Sequence, residues 1–284
     1  MRVLILGGDG MLGHRLLAEF GRNHTVAVTL RGAIELYRPF GLFVPELSFD
    51  GVDARSQDAL VRVMDAFRPE VVINAIGLIK QRDNADDKLA ALEINAVLPH
   101  RLAAQCRTNG SRFIHISTDC VFSGQRGNYR ENDIPDAQDT YGRTKFLGEV
   151  GDPDGLTLRT SIIGRELSRK HGLLEWLLAQ RGSVRGYARA IFSGLTTHEF
   201  GRVIRMMVEQ HPQARGLYHV ASKPIDKFSL LQLLRVELDL PVDIVPDHAV
   251  VIDRSLDSTR FDGRFSYRAP SWVDMAAELR TPTT

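Results

Sequence analysis

Tyr141 and Lys145 lie four residues apart in the segment Asp139-Thr-Tyr-Gly-Arg-Thr-Lys-Phe-Leu-Gly-Glu149. On a helix, residues i and i+4 project from one face, so a phenol and an ammonium address the same small space. A cation beside a phenol favours the phenolate and draws its pKa down from a reference value near about 10. A tyrosine so placed gives or takes a proton at neutral pH. The same spacing also suits a half-buried aromatic beside a solvated charge, so the pair needs partners. One is Thr118, in Ile114-His-Ile-Ser-Thr-Asp-Cys-Val-Phe122. That apolar run reads as a strand, and strand carboxyl ends in open α/β sheets border the ligand crevice. The Thr118 hydroxyl should therefore face the space that Tyr141 faces, with Ser117 packing at the strand end.

A second constellation opens the chain. Arg2-Val-Leu-Ile-Leu-Gly7 runs into Gly-Asp-Gly10-Met11-Leu12-Gly13, a G-x-x-G-x-x-G turn between the first strand and the first helix. Glycine permits the tight turn and lets backbone N–H groups approach a pyrophosphate at the helix N-terminus, so the turn predicts a bound dinucleotide. The second strand ends in Thr29-Leu30-Arg31-Gly32, with no carboxylate before Glu35. An arginine there accommodates a 2′-phosphate, so Arg31 favours NADP(H) unless it is a solvated loop residue. Asp53 follows a presumed third strand and would accept from the adenine amino group. Asn74, Ala75 and Ile76 end the fourth strand with residues that let the cofactor approach. Asp53 and Asn74 would serve equally well as turn or cap residues.

The elements that must position these residues follow from periodicity. Apolar β-branched runs predict strands at Val3–Leu6, Val26–Leu30, Val71–Ala75, Phe113–Ser117 and Thr157–Arg159. Amphipathic segments predict helices at Met11–Phe20, Gln57–Phe67, Asp86–Thr108, Thr140–Val150 and Leu173–Ala179. Their alternation gives an α/β fold, a Rossmann-type doubly wound parallel sheet, with a smaller C-terminal lobe. Gly32 to Pro45 fits neither period and reads as an irregular loop. Beyond Arg159 the pattern loosens to helices at Glu199–Gln210, Ser229–Leu238 and Ser271–Leu279 and a strand at Leu217–Val220. Residues 1–160 with about 196–221 would form the cofactor domain; about 161–195 and 222–284 would form the lobe.

The whole chain of 284 residues carries a net charge of +1 with 43% hydrophobic residues, an ordinary globular composition. It has no basic tract to neutralise a nucleic acid backbone. The longest uncharged apolar run, Val71 to Ile79, is too short for a bilayer. Met1 leads directly into a strand pattern, without a signal-peptide layout. Cys106 and Cys120 form no ligand cluster, no metal is predicted, and a reducing, cytoplasmic location is expected.

Four motifs in order now carry a resemblance: the glycine turn, Asn74-Ala75, Ser117-Thr118-Asp119 and Tyr141-x-x-x-Lys145. Together they resemble the extended short-chain dehydrogenase/reductases. STDCVFSG, YGRTKFLGE and LRTSIIGRE look most like the dTDP-4-dehydrorhamnose reductase branch, which reduces nucleotide-linked 4-keto-6-deoxy sugars. The resemblance is densest over residues 1–165. It implies that Tyr141 protonates the carbonyl oxygen as hydride arrives, that Lys145 holds the nicotinamide ribose and acidifies Tyr141, and that Thr118 binds the developing alkoxide. It also implies that Leu158-Arg-Thr160-Ser161 closes the cofactor pocket, with backbone as far as Ile163 near the nicotinamide.

The resemblance implies a nucleotide-sugar substrate touching Thr118 and Asp119, with Arg185, Arg189 and Arg254 candidates for its diphosphate and Phe192 or Tyr187 for its base. Arg254 opens Arg-Ser-Leu-Asp-Ser258, where the branch often has proline after the arginine; serine stands there instead. Relatives that dehydrate sugar nucleotides place a glutamate where this chain has Cys120, which disfavours dehydration. A cysteine there with a later histidine is similar to epimerase-reductases, which makes Cys120 and His171 an alternative acid–base pair. A non-catalytic NADP-binding regulatory subunit is the alternative of another class. Relatives also dimerise through the long helices flanking Tyr141, so a homodimer is compatible with the resemblance.

Overall fold

The computed structural model describes residues 1–78, 87–168 and 170–280. Strands β1 (Arg2–Leu6), β2 (Thr25–Thr29), β3 (Ser48–Phe49), β4 (Val71–Asn74), β5 (Arg112–Thr118), β6 (Leu156–Thr160) and β10 (Gly216–His219) form one sheet in the order β10-β6-β5-β4-β1-β2-β3. Every pairing in it is parallel. Helices α1 (Gly13–Phe20) and α7 (Thr197–Glu209) cover one face; α2 (Gln57–Phe67) and α4 (Leu98–Asn109) cover the other. The strand period of two explains the division. Val3 and Ile5 of β1 enter the core with Leu16, Phe20 and Phe200, whereas Leu4 and Leu6 join Leu60, Met64 and Leu102. The chain winds in opposite senses from β1 and β4, so their carboxyl ends open a crevice.

The expected strands of this sheet are present. The first helix starts at Gly13 rather than Met11, because Met11 and Leu12 belong to the turn. The expected Asp86–Thr108 helix is interrupted: α3 (Lys88–Ala91) and α4 are joined by a π-helical turn at Leu92–Val97, and Asp86 lies outside the described residues. That turn presents Asn95 inward, where its side chain bonds the Leu78 N–H at 2.9 Å and the Thr144 hydroxyl at 3.3 Å. Helix α5 (Thr140–Leu147) ends three residues before the expected Val150. Its C-cap, Gly148, passes so close to the Asn95 carbonyl that a Cβ would lie 1.9 Å from that oxygen. Between Gly32 and Pro45 the expected irregular loop carries a 3₁₀ turn at Ile34–Phe40.

Beyond β6 the helices expected near 173–179, 199–210, 229–238 and 271–279 are present, but periodicity did not reveal the strands that accompany them outside the main sheet. A second sheet places β8 (Gly182–Phe192) between antiparallel β11 (Ile225–Asp226) and parallel β12 (Val242–Asp253). Strands β7 (Ile162–Ile163) and β9 (Leu195–Thr196) form a two-stranded ladder. Helix α6 (Leu173–Leu178) precedes β8, and α8 (Lys227–Glu237), α9 (Thr259–Phe265) and α10 (Trp272–Ala277) complete the lobe. Leu230, Leu234, Phe261 and Trp272 continue the core that begins under α1 and α7, so lobe and sheet share one apolar interior. Among the described residues, no helix is long and apolar enough to cross a membrane.

Candidate active site

A crevice of about 810 Å³ lies above the carboxyl ends of β1, β4, β5 and β6, closed on its far side by β8, β12 and the start of α8. Gly7, Gly10, Met11, Leu12, Arg31, Asp53, Ala75 and Ile76 line one end. Thr118, Asp119, Cys120, Tyr141, Lys145, His171 and Arg254 line the other. Both constellations read from the sequence therefore open onto one space.

The glycine turn is built as a cradle. Gly7 has φ +85°, the left-handed region, and a Cβ at Gly13 would lie 2.0 Å from the Gly7 carbonyl oxygen. No other residue lets α1 start this close to β1. Asn74 and Gly13 stand behind the wall: Asn74 is fully buried and accepts the Ile76 N–H at 3.1 Å. Asp53 is already engaged, with its Oδ2 2.6 Å from Arg55 Nη2, and the Arg55 guanidinium holds the Asp53 carboxyl down at about 2. Arg55 itself lines the crevice near Arg31, a second cation that the sequence reading did not single out.

Helix α5 carries Tyr141 and Lys145. Asp139 caps it, accepting the Gly142 N–H at 2.9 Å. Gly142 lets the helix press onto the turn after β5, where a Cβ would lie 2.2 Å from the Cys120 carbonyl oxygen. The Tyr141 hydroxyl consequently reaches Thr118 and hydrogen-bonds to it. Thr118 Oγ1 accepts the Cys120 N–H at 3.1 Å and donates to Asp119 Oδ1 at 3.1 Å.

One expectation is overturned here. Lys145 does not acidify Tyr141: its ammonium is turned onto the Ile116 carbonyl oxygen at 2.6 Å. Burial pushes the Tyr141 phenol above its ordinary value, the negative side of Cys120 adds to the effect, and only the Thr118 bond opposes it. Tyr141 therefore stays protonated through the neutral range. Burial also pushes Lys145 down to about 8, against the pull of Glu149.

Other residues sort by strand alternation. Arg185, Tyr187 and Arg189 share the exposed face of β8, whereas Ala190 and Phe192 turn inward and line the crevice. Arg189 is thus outside the crevice wall, and Arg185 pairs with Asp247 at 3.7 Å. Arg254 is half-buried, donating to the Phe122 carbonyl at 2.8 Å. Thr160 to Ile163 line the crevice. Arg159 does not; it forms a buried two-bond ion pair with Glu149, and Ser117 donates to the same carboxylate at 2.6 Å. His171 is exposed at the rim, with its N–H on Glu166 at 2.6 Å.

Lys227, at the start of α8, was not legible from the sequence. Its ammonium lies 3.9 Å from the Phe192 ring centroid, inside the crevice and in the field of Asp119 and Cys120. Burial draws it down to about 8. Asp119 is buried and its carboxyl is raised by desolvation, with Arg254 and Lys227 resisting. Among the described residues, no group of three or more His, Cys, Asp or Glu is placed to hold a metal ion.

A parallel seven-stranded sheet of this order, a glycine turn after β1 and a threonine–tyrosine–lysine set beside it define a Rossmann-type fold of the extended short-chain dehydrogenase/reductase kind. The model of the RmlD substrate binding domain matches residues 1–232, and the chain belongs to that family. The dTDP-4-dehydrorhamnose reductase of Aggregatibacter actinomycetemcomitans is 26% identical over 236 residues, 78% of this chain and 74% of that one. Methionine adenosyltransferase 2 subunit beta of Bos taurus is 32% identical over 150 residues, but the match spans 52% of this chain and only 41% of the relative's length. A solved structure described as a hypothetical dTDP-4-dehydrorhamnose reductase from Sulfolobus tokodaii superimposes with a TM-score of 0.80, at 26% identity, covering 96% of this chain and 98% of that one. The dTDP-4-dehydrorhamnose reductase of Bacillus anthracis, solved in complex with NADP, gives a TM-score of 0.79 at 20% identity, covering 98% of each chain.

Proposed function

We propose that the protein uses NADPH to reduce the 4-keto group of a nucleotide-activated 6-deoxyhexose, in the making of sugar nucleotides for surface polysaccharide. The observation that carries this reading is that Thr118, Tyr141 and Lys145 open onto the same crevice as the glycine turn. Relatives and solved structures bearing the dTDP-4-dehydrorhamnose reductase name support it.

The cradle fits a dinucleotide, since a Cβ at Gly13 would fill the turn. Gly7, Gly10, Met11, Leu12 and Gly13 would hold the phosphates and Arg31 the 2′-phosphate. Asn74, Ala75 and Ile76 would flank the cofactor, and Tyr141 and Lys145 would hold the nicotinamide ribose. Asp53 would meet the adenine only by sharing its carboxylate with Arg55. When bound, the cofactor supplies a hydride. Tyr141, protonated at neutral pH, gives its proton to the carbonyl oxygen. Thr118 supports the developing alkoxide, a role that can contribute about 3 kcal/mol. Asp119, Arg254 and Lys227 meet the polar groups of the sugar nucleotide. Residues 1–160 with about 196–221 act as the cofactor domain, and about 161–195 with 222–284 as the substrate lobe. Exposed Leu89, Leu92, Phe146 and Leu147 on α3 to α5 are the face through which a homodimer would form.

The test is NADPH oxidation with a panel of dTDP-, UDP- and GDP-linked 4-keto sugars. Tyr141→Phe should bind NADPH nearly as well as the wild type and lose about 10²–10⁴-fold in turnover. Undiminished turnover in that variant would end the proton-donor assignment. A purely binding role, like that of a regulatory subunit, predicts no turnover with any of these sugars. Cys120 and His171 both line the crevice, which keeps an epimerase-reductase as the second reading.

A further inference from the structure

Beneath the crevice, four groups form a directional chain. The Ile76 N–H donates to Asn74 Oδ1 at 3.1 Å. A backbone N–H can only donate, so this contact fixes which end of the Asn74 amide is oxygen. The amide nitrogen then faces His115 Nδ1 at 3.2 Å. An amide nitrogen has no lone pair to offer, so His115 Nδ1 must be the bare, accepting nitrogen. His115 is fully buried, and burial holds its ring neutral. Its single ring proton consequently sits on Nε2. That nitrogen lies 3.5 Å from Lys145 Nζ, which donates to the Ile116 carbonyl at 2.6 Å. Lys145 therefore meets a ring N–H where a lone pair would have welcomed its ammonium. A neutral amine can accept from that N–H; an ammonium cannot.

We propose that Asn74 and His115 are positioning residues that weaken the hold of Lys145 on its proton, by fixing the His115 tautomer that offers the lysine a donor. The proposal rests on the role given to Lys145 in ketoreduction and deepens it. Burial acts in the same direction, bringing Lys145 to about 8. The other groups facing this amine are accounted for. Glu149, on α5, pulls the opposite way, but its carboxylate is bonded to Arg159 of β6 and Ser117 of β5. Tyr141, also on α5, stays protonated, and His100 of α4 acts on His115, further opposing a charge there. The consequence is that Lys145 loses its charge close to the working pH. Turnover that needs the ammonium should then decline on an alkaline limb near 8 rather than near 10.5.

Long-range ¹H–¹⁵N spectra of the ¹⁵N-labelled protein at pH 7 read the tautomer directly. The expected result is a proton on His115 Nε2 and none on Nδ1. A proton on Nδ1, or on both nitrogens, overturns the proposal whether or not the protein reduces sugars, so this failure is separate from failure of the proposed function. Asn74→Asp supplies a second acceptor, which should move the ring proton to Nδ1 and turn the Nε2 lone pair to Lys145. The Lys145 Nζ titration, and with it the alkaline limb of kcat/KM, should then rise by about 1–2 pH units. A variant that loses activity equally at every pH, with an unmoved Lys145 titration, would reduce the pair to a structural role and overturn the proposal.

Discussion

Gly142→Ala is the most revealing single substitution, because local propensity and packing predict opposite signs for it. Alanine in place of glycine within a helix normally stabilises by about 1 kcal/mol. Here the added methyl would lie 2.2 Å from the Cys120 carbonyl oxygen and 2.5 Å from the Ala137 Cβ. A carbon resting on a carbonyl oxygen needs about 3.3 Å, so α5 must retreat by about 1 Å from the turn that follows β5. Overpacking of this kind costs about 1–3 kcal/mol, which offsets the propensity gain and leaves the variant between neutral and about 2 kcal/mol less stable. The retreat carries the Tyr141 hydroxyl away from Thr118, its hydrogen-bond partner. A misplacement of about 1 Å can cost about 10²-fold in rate. Steady-state turnover with a 4-keto sugar nucleotide should therefore fall about a hundredfold. NADPH affinity, measured by fluorescence, should change little, and a urea midpoint reports the fold. A variant with full turnover and a wild-type midpoint would refute the idea that this close approach aims the tyrosine.

Arg31→Ala should weaken NADPH by about 10–100-fold, the worth of a charge-assisted hydrogen bond, while barely affecting NADH; equal losses for the two would contradict a 2′-phosphate contact. For the Cys120 and His171 pair, turnover in D₂O should leave the ring carbons of the product unlabelled. Label that appears with the wild type and disappears in Cys120→Ser would instead establish epimerisation. Acid should destabilise the fold well before its carboxylates titrate. Burial lowers His14, His115, His198 and His219, the last two to about 4 and about 3. Between these values and 6.5 the unfolded chain binds protons that the folded chain refuses, so stability falls as pH falls. His219 alone should remove about 1.4 kcal/mol per pH unit below its unfolded value. Urea midpoints at pH 7 and pH 5.5 check this, and equal midpoints would contradict it.

How much of this was legible depended on whether the signal was local. The turn from Gly7 to Gly13 and the strand end at Thr118 could be read because β-branched runs and glycines encode the backbone directly. The expected start of the first helix at Met11 failed by two residues because Met11 and Leu12 complete the turn that Gly7 begins. Strand β8 does alternate, but Gly186 and Ala190 fill two of its buried positions, which leaves Phe192 at its end as the one large apolar residue among them. Strand β12 is mostly solvent-facing and contains Pro246, which hides it further. Lys227 and Arg55 were missed for a different reason. Lys227 meets Phe192 and Arg55 turns onto Asp53 at the crevice wall, contacts that no periodicity encodes.

The Tyr141–Lys145 spacing was legible as geometry but not as electrostatics, and the difference bears on the proton transfer. Helical periodicity says that two side chains share a face; it does not say what else that face touches. The Ile116 carbonyl takes the lysine, and burial of the phenol decides the tyrosine. A phenol held protonated is already in the state a carbonyl reduction needs, since the proton must leave it as negative charge grows on the substrate oxygen. Giving up that proton forms a buried phenolate, which adds about 1.4 kcal/mol to the barrier for every unit by which burial has raised the group. The Thr118 hydrogen bond is the one local feature that lowers this barrier, and it does so only while α5 stays pressed against the Cys120 turn. The same packing therefore aims the proton and eases its departure.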